Sequence, residues 1–124
     1  HSYTANPTAC SAALASMDLF DKPETTANME RIAMQHQGFL QKIKTHAALL
    51  EVRQLGTILA FEVKTKEHTH YLNSLAEYIS SFFLERGIIL RPLGNIVYVL
   101  PPYCISNEDL QYIYAAIETF LDTI

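Results

Sequence analysis

The chain has 124 residues, 49% of them apolar and 18% charged, and a formal net charge of −4. This is about one domain's length, enough to bury a core, with a globular and not a disordered composition. No segment gathers lysine and arginine into a basic face, which excludes nucleic acid as a partner, and no apolar run approaches the ~20 residues of a membrane span, which excludes a membrane helix.

The first residues have neither the basic start nor the apolar core of a secretion signal, so the expected location is cytoplasmic. Cys10 and Cys104 show no C-x-x-C spacing and suit two reduced thiols, although spacing alone leaves a disulfide open. The chain opens at His1 without an initiator methionine, which reads as a piece of something longer.

In chain order, Asn6 is a predicted cap for a helix that accepts Pro7 in its first turn and runs from Ala9 to about Phe20. Its face of Ala9, Cys10, Ala12, Ala13 and Ala15 is small, which favours close helix packing. Pro23 breaks it. From Glu24 to about Thr45, Met29, Ile32, Ala33, His36, Leu40 and Ile43 recur at three- and four-residue steps, the mark of a long amphipathic helix, with Ala47 continuing the series just beyond.

Val52 and Leu55 before Gly56, and Ile58 to Val63 after it, read as two strand segments hinged at the glycine. "KTKEHTH" is a polar loop. Leu72, Leu75, Ala76, Ile79, Phe82 and Phe83 then form a helical stripe that Gly87 ends. "IIL" and "IVYVL" read as short strands joined by the turn "RPLGN". Ser106, with Asp109 three residues on, caps a last helix whose buried face is Leu110, Ile113, Tyr114, Ile117 and Leu121. The expected order is ααββαββα, an α+β fold with a small antiparallel sheet covered by helices.

Catalytic motifs are scarce. Gly38, Gly56, Gly87 and Gly94 are isolated, so no phosphate-cradling glycine loop exists, and no G-x-S-x-G occurs. His68 and His70 lack a second ligand pair and read as a solvated loop, while His36 and His46 are too far apart on one helix to share an ion. His36 is expected to be a partly buried helix residue.

Two places remain. "HSYTAN" sets hydroxyls and a histidine ahead of a helix start, where free amides favour an anion, or where the same residue types serve only as caps. Arg91 stands at a strand end, where a guanidinium can hold a carboxylate by two parallel hydrogen bonds or simply face water.

Together "HSYTANPTACSAALASMDLF" and "GIILRPLGNIVYVLPPYCIS" resemble the class III pyridoxal-phosphate-dependent aminotransferases. The likeness extends over essentially the whole chain, including "VRQLGTILAFEV" and the last helix. The pairing of "RPLGN" with "LPPY" is similar to the branch of that family that serves biotin synthesis. The resemblance implies residues 1–124 as the small C-terminal domain of a fold-type I enzyme. Its expected partners are a large cofactor-binding domain of the same chain and a second subunit in a homodimer.

It further implies that Ser2, beside His1, contacts the phosphate of pyridoxal 5'-phosphate held by the neighbouring subunit. Arg91 would bind the carboxylate of a small keto-acid substrate, 7-keto-8-aminopelargonate, with S-adenosylmethionine as amino donor, and Tyr3 would line the same pocket. The cofactor's Schiff-base lysine lies upstream in this family, so Lys22, Lys42, Lys44, Lys64 and Lys66 are not candidates. The chain alone is expected to bind no cofactor and catalyse nothing. Rival readings are another class III aminotransferase and a stand-alone α+β module that clamps a carboxylate. Where many members have glycine before the asparagine of the first motif, this chain has Ala5, which matters only if that position needs a positive φ.

Overall fold

The computed structural model describes residues 4–65 and 73–124. The elements are α1 (Pro7–Phe20), α2 (Pro23–Ile43), β1 (Leu49–Leu55), β2 (Ile58–Val63), α3 (Leu75–Leu84), β3 (Ile96–Val99) and α4 (Asn107–Thr123). The three strands form one antiparallel sheet in the order β1-β2-β3.

The first two strands are a hairpin closed by the two residues Gly56 and Thr57, with Leu55 paired to Ile58. Gly56 has φ +55° and Thr57 does not share the left-handed region, which matches the two-residue turn that puts glycine first. On the central strand Leu59, Phe61 and Val63 are buried at alternate positions, and their register partners on β3 include Val97 and Val99. That buried set joins one hydrophobic cluster with Ile32, Phe39 and Ile43 of α2, Ile79, Phe82 and Phe83 of α3, and Leu110, Ile117, Phe120 and Leu121 of α4. Phe120 is its aromatic hub, with ring centroids 5.3 Å from Phe82 and 5.5 Å from Phe83.

Inside this cluster sits a histidine. His36 is fully buried, deeper than its place on the α2 stripe suggests. Its Nε2 lies 3.1 Å from the Thr57 carbonyl and its Nδ1 2.6 Å from the Tyr114 hydroxyl. A carbonyl only accepts, so Nε2 carries the proton and Nδ1 accepts from the phenol. Phe39 stacks on the Tyr114 ring at 4.2 Å. Burial pushes the His36 pKa below its ordinary 6.5 and raises that of the Tyr114 phenol.

Helix ends follow their sequence signals. The Asn6 side chain accepts from the amides of Thr8 (3.0 Å) and Ala9 (3.2 Å), and Pro7 occupies the first turn. Pro23 begins α2 as well as ending α1. At the end of α3, Gly87 has φ +71°, its amide donates to Leu84 and that of Ile88 donates to Phe83, the paired bonds of a Schellman motif. Ser106 accepts from the Asp109 amide at 3.0 Å and donates its hydroxyl proton to the Asp109 carboxylate at 2.8 Å.

Two expectations need correction. Residues 88–90 are not a strand, so the described order is ααββαβα and the sheet has three strands. Pairing with β3 stops at the single Leu93–Ile96 bridge. Pro92 fixes φ near −65°, well short of extended strand values, and turns the chain out of the ladder. The small face of α1 finds no close packing among the described residues: all of the helix is exposed.

The α1 entrance also answers the question that Ala5 raised. Thr4 has φ +31° and Ala5 φ +47°, so a non-glycine residue is held in the left-handed region. Ala5→Gly is therefore expected to relieve roughly 1 kcal/mol of local strain. Amide exchange across the first turn of α1 should slow by about fivefold, and unchanged exchange would show that the bend carries no strain.

The His36 contacts generate a stability prediction. Tyr114→Phe keeps the ring stack but removes the donor to Nδ1, which should cost about 1–3 kcal/mol, read as a lower urea midpoint at unchanged slope. Because the folded pKa of His36 is below 6.5, the unfolded chain binds more protons under that pH. The contribution of neutral His36 is thus complete above about pH 6.5 and is lost as pH falls below it. A wild-type midpoint that is flat from pH 7.5 to 5 while His36→Gln changes nothing would contradict this.

Candidate functional site

Of the four residues singled out for function, the structure describes one. His1, Ser2 and Tyr3 lie outside the described residues, as do His68, His70 and Lys66.

Arg91 lies in the irregular stretch between α3 and β3, bounded on one side by the Gly87 motif and on the other by a tight turn. That turn is made by Gly94 and Asn95. The Leu93 amide donates to Ile96 at 2.8 Å, the Ile96 amide donates back at 3.1 Å, and Gly94 has φ +65°. "GN" in the sequence announced the turn, but not that Asn95 would be fully buried. Asn95 reaches the last residue of β2: its Nδ2 donates to the Val63 carbonyl at 2.8 Å, and its own carbonyl accepts from the Val63 amide at 2.9 Å.

Arg91 itself is exposed, and no hydrogen bond or ion pair among the described residues engages its guanidinium. The other arginines differ. Arg31 donates to Asn107 and to the Ile105 carbonyl, Arg53 pairs with Glu51, and Arg86 lies 3.6 Å above the Phe82 ring. Beside Arg91, a cleft of about 410 Å³ is lined by Ile88, Leu90, Pro101, Tyr112 and Ile113 among others, and Arg91 is not part of its wall. The guanidinium is thus exposed and uncommitted among the described residues, a state in which it can take a planar anion.

The α1 entrance tests the anion reading of "HSYTAN". The amides of Thr8 and Ala9 are already taken by the Asn6 side chain, so this part of the segment is an ordinary cap. The described lysines are all exposed. Lys42 pairs with Glu118 at the surface, Lys44 with Gln41, and Lys64 donates to the Ala47 carbonyl at 2.6 Å. Lys22 is exposed at the start of α2. No group of three or more metal-ligating side chains occurs among the described residues, and His46 faces Asp122 at 3.6 Å. Cys10 and Cys104 are free and exposed. No described helix is long and apolar enough to cross a membrane.

Comparison with known proteins gives this geometry its context. The family model for aminotransferase class III matches residues 1–121. The chain is 39% identical over 124 residues to the adenosylmethionine-8-amino-7-oxononanoate aminotransferase of Synechococcus elongatus, covering all of this chain and 28% of that protein. The crystal structure of the enzyme of the same name from Methanocaldococcus jannaschii superposes with a TM-score of 0.85 at 28% identity, over 99% of this chain and 29% of that one. An aminotransferase from Vibrio fluvialis in its PMP-bound form superposes with a TM-score of 0.83 at 26% identity, over 99% of this chain and 28% of that one. The chain therefore spans little more than a quarter of the length of these relatives. A family match that runs through nearly every element, from the α1 entrance to α4, establishes that this chain belongs to the class III aminotransferases.

Proposed function

We propose that the protein to which this chain belongs transfers the amino group of S-adenosylmethionine to 7-keto-8-aminopelargonate, giving 7,8-diaminopelargonate for biotin synthesis. The observation that carries this reading is the match of the whole chain to a relative named for that reaction, at 39% identity. The structure adds a residue suited to one part of the task. Arg91 offers an exposed guanidinium, uncommitted among the described residues, three residues ahead of the Gly94–Asn95 turn, and the keto acid carries a carboxylate.

In this reading the chain is the small C-terminal domain, and a larger domain of the same protein supplies the cofactor site. Pyridoxal phosphate, when bound there, provides the electron sink and the carrier for the amino group. The described residues here do not hold it. What they do is recognise and orient: a bidentate contact from Arg91 fixes one end of the keto acid, so that the other end arrives in a defined pose. His1 and Ser2 are assigned to the cofactor phosphate in the neighbouring subunit of a homodimer, and Tyr3 to the substrate pocket. The larger domain also accounts for the α1 surface, where Leu14, Met17 and Phe20 are each more than half exposed. The proposed location is cytoplasmic.

Arg91→Ala in the complete protein is expected to lower kcat/KM for the keto acid by roughly ten- to a hundredfold, the worth of one charge-assisted bidentate contact of about 1.5–3 kcal/mol. Arg91→Lys should fall between the two, since an ammonium cannot form the parallel pair. The visible absorbance of the bound cofactor should stay as in the wild type. Keto-acid kinetics indistinguishable from wild type in Arg91→Ala would remove Arg91 from the substrate site.

A further inference from the structure

We infer that Asn95 is a positioning residue for Arg91 and so helps determine whether the site prefers a carboxylate-bearing substrate. The inference rests on the reading of Arg91 as the carboxylate ligand and names what holds that ligand in place.

Turn tips normally sit in water, where nothing fixes them. Here Gly94 and Asn95 are both buried, and Asn95 is fully so. Two hydrogen bonds tie Asn95 to Val63. One bond is made by the Asn95 backbone carbonyl, which any residue could supply, and it extends the β2–β3 ladder by one step beyond Glu62 and Ile96. The other, from Nδ2 to the Val63 carbonyl, depends on the side chain. A short side chain with an amide donor meets that requirement at a buried position; aspartate would set a carboxylate against a carbonyl oxygen.

Arg91 depends on this clamp because its own stretch of chain has no ladder. Residues 88–92 belong to no strand, and the single bridge at Leu93 is the point where the chain rejoins the sheet. From that bridge back to Arg91 there is one residue, Pro92, whose ring removes the freedom of φ. The path from the core to the guanidinium base is therefore Val63, Asn95, the Leu93–Ile96 pair, Pro92, Arg91. A bidentate pair tolerates little displacement, and a shift of about 1 Å in a positioning group is enough to lose a large part of its effect.

The experiment uses the complete protein, reconstituted with its cofactor, and compares the keto acid with its methyl ester, which lacks the carboxylate charge and keeps the rest of the molecule. Asn95→Ala is expected to raise KM for the acid by about tenfold, with kcat changed by less than twofold, and to leave the ester's kinetics unaltered. Asn95→Ser, which keeps a hydroxyl donor in the same turn, should recover part of the preference and serves where the alanine variant folds poorly. Adding Asn95→Ala to Arg91→Ala should change the acid-to-ester ratio no further, because both act on one contact. Equal losses for acid and ester in the Asn95 variants would overturn the inference and leave Asn95 a purely structural residue. So would a wild-type ratio in Asn95→Ala and Asn95→Ser beside a collapsed ratio in Arg91→Ala. If Arg91→Ala itself keeps the wild-type ratio, the carboxylate reading fails first, and the positioning role fails with it.

Discussion

The packing of α2 and α4 on the sheet turns on one buried imidazole. His36, Thr57 and Tyr114 are far apart in the chain and belong to α2, the β1–β2 turn and α4. Apolar contacts alone tolerate some sliding of a helix across a sheet, whereas a buried polar group must find its partners or bear its full desolvation cost. With both ring nitrogens engaged, α2 and α4 have a single spacing that works, and the hairpin turn is fixed beneath them. Arg31 repeats the device where α4 begins, bonding Asn107 and the Ile105 carbonyl at 2.7 and 2.6 Å. Lys42–Glu118 also bridges α2 and α4, and His46–Asp122 joins the turn after α2 to α4, but each pair has at least one largely solvent-exposed partner and contributes little by comparison.

That rigidity passes outward through the sheet. β2 is the central strand, ladder-bonded on both sides, and Val63 is its last residue. A turn that bonds to Val63 inherits the order of the core in a way that a turn at a free sheet edge would not. The exposed guanidinium is thus linked, through Pro92, the Leu93–Ile96 bridge and Asn95, to the central strand of the fold, and a recognition residue benefits from that combination of a polar tip in water and an ordered base nearby.

Helices were legible because their signals are local. The three- and four-residue steps from Met29 to Ile43, the proline at residue 23, the glycine at 87 and the Ser106–Asp109 pair each act within one or two turns, and each does in the structure what its chemistry suggests. Residues 88–90 misled for the complementary reason. A short β-rich run describes what a segment would do beside a partner, and strand formation is decided by pairing that the segment does not encode. The depth of His36 was hidden likewise, since its hydroxyl partner lies 78 residues away and no spacing rule links them. At the site, Arg91 stood out as a charge between apolar runs, while Asn95 looked like an ordinary turn residue. Its burial depends on Val63, 32 residues earlier.

The α1 helix shows how far local order reaches without a core. It has 14 residues and buries none of them. A helix of that length is marginal in water on propensity alone. What secures it is concentrated at its ends: the Asn6 cap and Pro7 at the start, and at the finish the Phe20–Tyr103 ring contact at 6.0 Å and the Thr25 hydroxyl on the Leu19 carbonyl at 2.6 Å. A helix held at its ends is sensitive to the geometry of those ends. The left-handed Thr4–Ala5 pair lies directly before the cap, so the one backbone strain outside glycine among the described residues falls where α1 has least to spare.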